Sequence, residues 1–503
     1  MKKKFLLFIN LLALLFAWQV SHIKQVAADD KIKVVTTFYP VYEFTKAVTG
    51  DSADVSMLIK AGTEPHDFEP STKNVATISD ADMFVYMDDS METWVKKVQK
   101  SINSDDLTVV KSTGDMLLMA GTAEEEEEGH EGHSHEYDPH VWLSPKRAVT
   151  LVENIRDAFV AKYPDKAETF KTNSATYIEK LNDLDKKYSD ALSNAKQKSF
   201  VTQHAAFGYL ALDYGLNQIP ITGVSAESEP SAKRLASLTK YVKKYDIKYI
   251  YFEENASSKV AATLADEAGV KTAVLNPLES LTTKEIKAGE DYFTVMKDNL
   301  KALRLTTDVK GKEIKAETDD TKTVQHGYFK DKDVTDRKLT DWSGTWQSVY
   351  PYLLDGTLDE VWEYKADASK GEQTAQEVKD YYTTGYKTDV EKIIIDGKKN
   401  TVTFVQNGEE HKYTYKYVGY KILKYEKGNR GVRYLFEAKD DNAGDFKYIQ
   451  FSDHNISSTK AEHFHLFWGS TSQKAILKEM DNWPTYFPAS KSGQEIAQDL
   501  VAH

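Results

Sequence analysis

Near residues 306–323 the hydrophobic pattern of this 503-residue chain changes period, and no single fold accommodates both sides. Before that point the runs "KIKVVTTF", "DVSMLI", "DMFVYM", "SFVTQ", "KYIYFEE" and "KTAVLNP" alternate with helical segments. Several are apolar throughout rather than at every second residue, as strands covered on both faces are. The first part therefore reads as α/β. Beyond it, "EVWEYK", "KIIIDG", "TVTFVQ", "HKYTYKYVGYKILKY", "GVRYLFEAK", "FKYIQFS" and "HFHLFWG" are Tyr-, Val- and Phe-rich runs of period two, separated by the turn signals "NG", "KGN" and "NAG". They predict a mainly antiparallel sheet closed into a barrel, with helices before it. The charged, aperiodic stretch between them predicts a linker. A chain this long exceeds one ordinary core, so two unlike domains are expected, over 29–305 and 324–503, joined by 306–323.

Within the first part, "SPKRAVTLVENIRDAFVAKY" places Ser144 as a helix N-cap and Pro145 at the first helical position. Its apolar residues Ala148, Val152, Ile155 and Phe159 recur every three to four positions, as do Tyr177, Leu181, Leu184 and Tyr188 after Pro164. Long helices here would separate two α/β lobes. At the start, "MKKKFLLFINLLALLFAWQV" followed by Val26 and Ala28 predicts a signal peptide over 1–28, weighed against an uncleaved anchor. Nothing after it is long and apolar enough to cross a bilayer. The net charge of −13 repels nucleic acid and suits a protein that gathers cations. Cysteine is absent, so any zinc site must be built from histidine and carboxylate.

The stretch "EEEEEGHEGHSHEYDPH" divides. Glu124 to Glu128 read as a solvated acidic run. His130, His133 and His135, interleaved with carboxylates in a loop over 124–136, read as low-affinity zinc gatherers. His140 belongs with three residues elsewhere. His66 follows the strand-like "DVSMLI", His204 directly follows "SFVTQ", and Glu279 lies just past "KTAVLNP". Ligands of open α/β folds collect at the carboxyl ends of strands, and three imidazoles with one carboxylate make a tetrahedral set for zinc. Any one of these histidines alone reads more readily as a surface residue; the set is what points to metal. Pro65 and Pro139 stiffen the chain before two of them. Asp67, Glu69 and Asp138 are candidates to fix an imidazole tautomer, weighed against ordinary turn chemistry.

In the second part, "SDHNISSTKAEHFHLFWG" puts His463 and His465 two apart on one strand face, with His454 nine residues earlier. One antiparallel turn would bring the three imidazoles together. Three histidines with an open fourth position also form the ligand set of catalytic zinc, so a zinc hydrolase stands as an alternative. Against it, there is no "HExxH" helix, no nucleophile elbow and no assignable general base. His326 and His411 match no motif, and His411 reads as a strand surface residue.

"GTEPHDFEPS", "DPHVWLSP", "HAAFGYL" and "LNPLESLT" together resemble the metal-binding proteins of ABC importers, specifically the zinc-specific ZnuA-like branch, over about 31–305. The acidic histidine loop ahead of His140 is itself a mark of that branch. The resemblance implies two α/β lobes joined by a long rigid helix, with Zn2+ in the cleft between them on His66, His140, His204 and Glu279. The manganese branch uses more carboxylate, so His204 favours zinc. "DRKLTDWSGTWQSVYPYL" and "EHFHLFWG" resemble the ZinT family over about Gln325 to His503. That likeness implies a lipocalin-like barrel binding Zn2+ through His454, His463 and His465. In tandem, the two resemble the AdcA-like components of streptococcal-type importers. This implies a monomeric, non-enzymatic protein outside the cell that captures Zn2+ and delivers it to a membrane permease, with a surface adhesin as the remaining alternative. Proteins of this kind usually carry an acylated cysteine. Its absence here argues against a lipid anchor and leaves release, retention by the signal segment, or docking on the permease.

Overall fold

The structure, a computed structural model, describes residues 31–61, 63–102, 106–121, 137–221, 232–253, 259–312, 324, 327–369, 371–425 and 428–502. The leader at 1–28, the loop at 124–136, His326 and 313–323 of the linker lie outside them. The chain divides into two compact units. One gathers Met1–Gly114, Val149–Leu181 and Leu278–Tyr292, the other Asp115–Ala148, Asn182–Pro277 and Phe293–His503.

The first unit is built on a parallel sheet of order β2-β1-β3-β4, with β1 at Ile32–Thr36, β2 at Ala53–Met57, β3 at Met83–Tyr86 and β4 at Thr108–Lys111. Every residue of β3 is buried, which is why "MFVY" shows no alternation. Helix Tyr39–Thr49 turns Val41, Phe44 and Val48 inward at helical spacing, and Phe44 meets Tyr292 edge to face at 5.2 Å.

The second unit holds a second parallel sheet, of order β6-β5-β7-β8. Its strands are β5 at Ser199–Thr202, β6 at Asn217–Pro220, β7 at Tyr249–Phe252 and β8 at Lys271–Val274. Strands β4 and β6 have no counterpart among the runs picked out from sequence. Both are four-residue edge strands, where one-sided burial leaves little pattern. The long helices fall at Pro145–Lys162 and Ala167–Leu192. Ser144 does occupy the position before the first of them, its carbonyl accepting the Ala148 N–H. Its hydroxyl donates to Asp213 at 2.6 Å.

The same unit contains a closed antiparallel barrel of order β10-β11-β12-β13-β14-β15-β16-β9. The strands are β9 Gly344–Ser348, β10 Val390–Asp396, β11 Thr401–Gln406, β12 Glu409–Lys424, β13 Arg430–Ala438, β14 Tyr448–Ser452, β15 Phe464–Gly469 and β16 Thr485–Pro488. Asn407 and Gly408, with φ of 51° and 79°, close the β11–β12 hairpin as the "NG" signal predicts. Ile393, Ile395, Val402, Phe404, Phe451 and Leu466 fill the interior from alternate strand positions. "EVWEYK" is not a strand. It lies in helix Asp359–Ala368, because Leu358, Val361 and Trp362 are buried at helical spacing and two acids occupy the first turn. Helices Asp359–Ala368, Ala375–Tyr386 and Gly493–Ala502 pack with Leu117 in a second core beside the barrel. There the Gln498 amide accepts the Leu118 N–H and donates to the Leu118 carbonyl, both at 2.7 Å. Among the described residues no helix is long and apolar enough to cross a membrane.

Candidate metal centres

In the first unit, His66 and Glu279 come together. The His66 side chain is 1% exposed, and its Nε2 lies 3.9 Å from Glu279 Oε1. The Glu64 carboxylate accepts the His66 backbone N–H at 3.2 Å. Asp67 and Glu69, the candidates from sequence for backing this imidazole, are instead exposed. Leu278, immediately before Glu279, holds a left-handed φ of 57°, a conformation that a side chain bearing Cβ adopts at a cost.

In the second unit, His140 and His204 are fully buried with ring centroids 5.2 Å apart. Each ring is held at Nδ1 by a buried carboxylate. Asp138 Oδ1 accepts from His140 Nδ1 at 2.7 Å and from the His140 backbone N–H at 3.0 Å. Glu253 Oε1 bonds His204 Nδ1. An ionised carboxylate only accepts, so each Nδ1 carries the proton and Nε2 keeps the lone pair a metal needs. Asp138 is fixed in turn: its carbonyl accepts the Tyr209 hydroxyl at 2.7 Å, and its N–H donates to Met119. A Cβ on Gly208 would stand 2.9 Å from Asp138 Oδ2, so a side chain there would push against the carboxylate that holds His140.

Asp138 is among the candidates from sequence, but Glu253 is not. Its only signal is a carboxylate directly after the buried run "YIYF". Carboxylate–imidazole pairs raise ligand basicity, so Glu253→Gln is expected to lower zinc affinity at His204 about 10-fold or more. Competition against a chromophoric chelator measures this. An unchanged affinity would reduce Glu253 to a space-filling role.

The barrel brings His454, His463 and His465 together, with ring centroids 5.5 to 5.9 Å apart and ligand atoms within 4.8 Å of one another. His454 follows β14, His463 precedes β15 and His465 lies in it. The β14–β15 antiparallel pairing, Ser452 opposite His465, closes the group as the spacing predicts. His465 Nδ1 lies 2.8 Å from the Thr485 hydroxyl, whose own proton goes to the Trp483 carbonyl at 2.9 Å. The hydroxyl therefore accepts from Nδ1–H, and Nε2 is again left for metal. Burial first, then His454, His463 and the Arg433 guanidinium, hold the His465 pKa well below the usual histidine value. His463 stacks on Phe487 at 5.2 Å. His411 is a half-buried strand residue 6.0 Å from the Phe446 ring and far in sequence from this group.

Comparison with known proteins gives two family matches. The model described as ZnuA, zinc-uptake complex component A, periplasmic, matches residues 34–305. That described as ZinT (YodA), periplasmic lipocalin-like zinc-recruitment, matches 320–503. "Zinc-binding protein AdcA" of Streptococcus pyogenes serotype M6 is 67% identical over 515 residues, covering 100% of both chains. "Zinc-binding lipoprotein AdcA" of Streptococcus pneumoniae is 62% identical over 507 residues, again covering 100% of both. The crystal structure of Zn(II)-bound AdcA from Streptococcus pneumoniae matches with a TM-score of 0.82 at 62% identity, covering 94% of this chain and 100% of that one.

Proposed function

The chain belongs to the ZnuA family of zinc-uptake components, extended by a ZinT domain, and on that premise we propose that His66, His140, His204 and Glu279 close round one zinc ion while His454, His463 and His465 hold a second. It is the zinc-binding component of a zinc ABC transporter, a solute-binding protein and not an enzyme. Zinc is its cargo. The observation that most supports the ligand assignment is the anchoring of Nδ1 in both groups, by Asp138 and Glu253 in one and Thr485 in the other. Imidazoles held in one tautomer lose little entropy on meeting a metal ion, and two of them are backed by charge that strengthens the bond.

The working domains in this reading are 29–305 and 324–503, with 306–323 as linker and 1–28 as a secretion signal. The chain acts as a monomer at the outer face of the membrane and delivers Zn2+ to the permease. The pneumococcal relative is named a lipoprotein, whereas this sequence contains no cysteine to acylate. Release, retention by the signal segment and docking on the permease are the arrangements this leaves, and loss of the protein from cells lacking the permease would single out docking.

Metal analysis of the purified chain tests the central claim. Two tightly held zinc ions are expected, falling to one in His140→Ala/His204→Ala and to the other one in His463→Ala/His465→Ala. Equal retention of two ions by either variant would refute the assignment. His130, His133 and His135 gather further zinc weakly. Deleting residues 124–135 is therefore expected to leave the two tight ions in place and to slow capture at low zinc; loss of a tight ion would place a primary ligand in the loop.

A further inference from the structure

His454 has a φ of 64°, in the left-handed region, where a residue bearing Cβ is strained, and this conformation is part of what aims its ring at His463 and His465. Something must hold it there. The loop that carries it, residues 453–461, is neither helix nor strand, so its own backbone ladder does not. It is instead pinned at several points by residues 335–341, which precede β9. Thr335 N–H donates to the Ile456 carbonyl at 2.9 Å, and Ala461 N–H donates to the Asp341 carbonyl at 2.8 Å. The Ser458 hydroxyl reaches the Asp341 carboxylate at 3.1 Å.

Arg337 stands at the centre of this contact and is completely buried. Its Nε bonds Asp341 at 3.1 Å, and its guanidinium lies 4.0 Å from the Trp342 ring centroid and 5.1 Å from that of Tyr434. One terminal nitrogen bonds Asp453 Oδ1 and the other the Thr459 carbonyl. Asp453 adjoins His454 in the chain, and the same Oδ1 accepts the Asn455 N–H at 3.3 Å. One carboxylate oxygen thus ties the guanidinium to the residues on both sides of His454. A planar fork that is always charged and sandwiched on aromatic faces is rigid in a way a lysine is not.

We propose that Arg337 is a positioning residue for the barrel's zinc: through Asp453 it fixes the left-handed turn at His454 and presents that imidazole before the ion arrives. The proposal rests on the reading of His454, His463 and His465 as a zinc site, and the test separates the two. The parent is the full chain carrying His140→Ala and His204→Ala, which isolates the barrel group, and the probes are Zn2+ and Co2+. If the parent binds neither ion, the zinc-site reading itself falls. If it binds, Asp453→Ala is the informative variant. It cuts the link to His454 while leaving Arg337 paired with Asp341; the loss of one buried carboxylate is expected to lower the apo melting temperature, so binding is read at a temperature where circular dichroism shows the variant folded. Its zinc affinity is expected to fall about 10- to 100-fold, as for other residues that orient a ligand, and its Co2+ visible bands to change in intensity as one imidazole drops out. Arg337→Met should give the same spectral change. Asp453→Asn, which keeps an acceptor oxygen, should restore the parent's spectrum. Parent-like affinity and cobalt bands in a folded Asp453→Ala chain would overturn the proposal.

Discussion

Replacing His204 by alanine is expected to weaken zinc binding at the first centre by about two orders of magnitude or more. Closed tetrahedral zinc sites bind with roughly 10–16 kcal/mol, so one ligand in four is worth ~3 kcal/mol, or about two decades. The substitution removes more than a ligand. Glu253, 7% exposed and bonded to the His204 ring, would lose the imidazole that justifies a buried carboxylate. The same argument applies to His140 and Asp138, 0% and 5% exposed. The measurement is a chelator-competition titration of a chain whose barrel group is disabled by His463→Ala and His465→Ala. Thermal melting gives a second reading, since a ligand bound only by the native state stabilises it by RT ln(1 + [L]/Kd), about 4 kcal/mol at a thousandfold excess over Kd. The zinc-induced rise in melting temperature should therefore collapse with the affinity. A loss of less than tenfold would remove His204 from the ligand set.

The residues that carry this prediction were not equally legible in the sequence. His204 was, because it directly follows the strand-like run "SFVTQ", and ligands gather at the carboxyl ends of such strands. Glu253 was not, because what makes it a partner is register. Strands β5 and β7 pair in parallel with Val201 opposite Ile250 and Thr202 opposite Tyr251, which carries the chain two residues on to His204 beside Glu253. That adjacency is set by sheet order, which local pattern does not encode. Thr485 is hidden for the same reason. It faces His465 only because β15 and β16 pair there, and β16 is a four-residue strand without a periodic signal. The barrel hairpins were readable where turn chemistry and alternation coincide, as at Asn407–Gly408. "EVWEYK" misled because six residues fit period two and helical spacing equally well until Leu358 is included. Local chemistry thus picked out candidate ligands and strands, while tertiary pairing chose the groups that orient them.

Acid should release zinc from both centres. A zinc ligand must be a neutral imidazole, so protons compete with the metal at each histidine. For an imidazole of ordinary pKa, ~6.5, taking the pH from about 7.5 to about 5 costs a factor of roughly 30. Three such imidazoles lose about 10⁴ in apparent affinity. In the barrel, burial and the neighbouring positive groups hold His465 well below the usual value, so its folded form favours the neutral ring and protonation sets in only at lower pH. Protons therefore compete less with the metal at this imidazole than at an ordinary one. Zinc titrations of the two single-centre chains across this pH range measure the loss. Flat affinity at either centre would contradict imidazole ligation there.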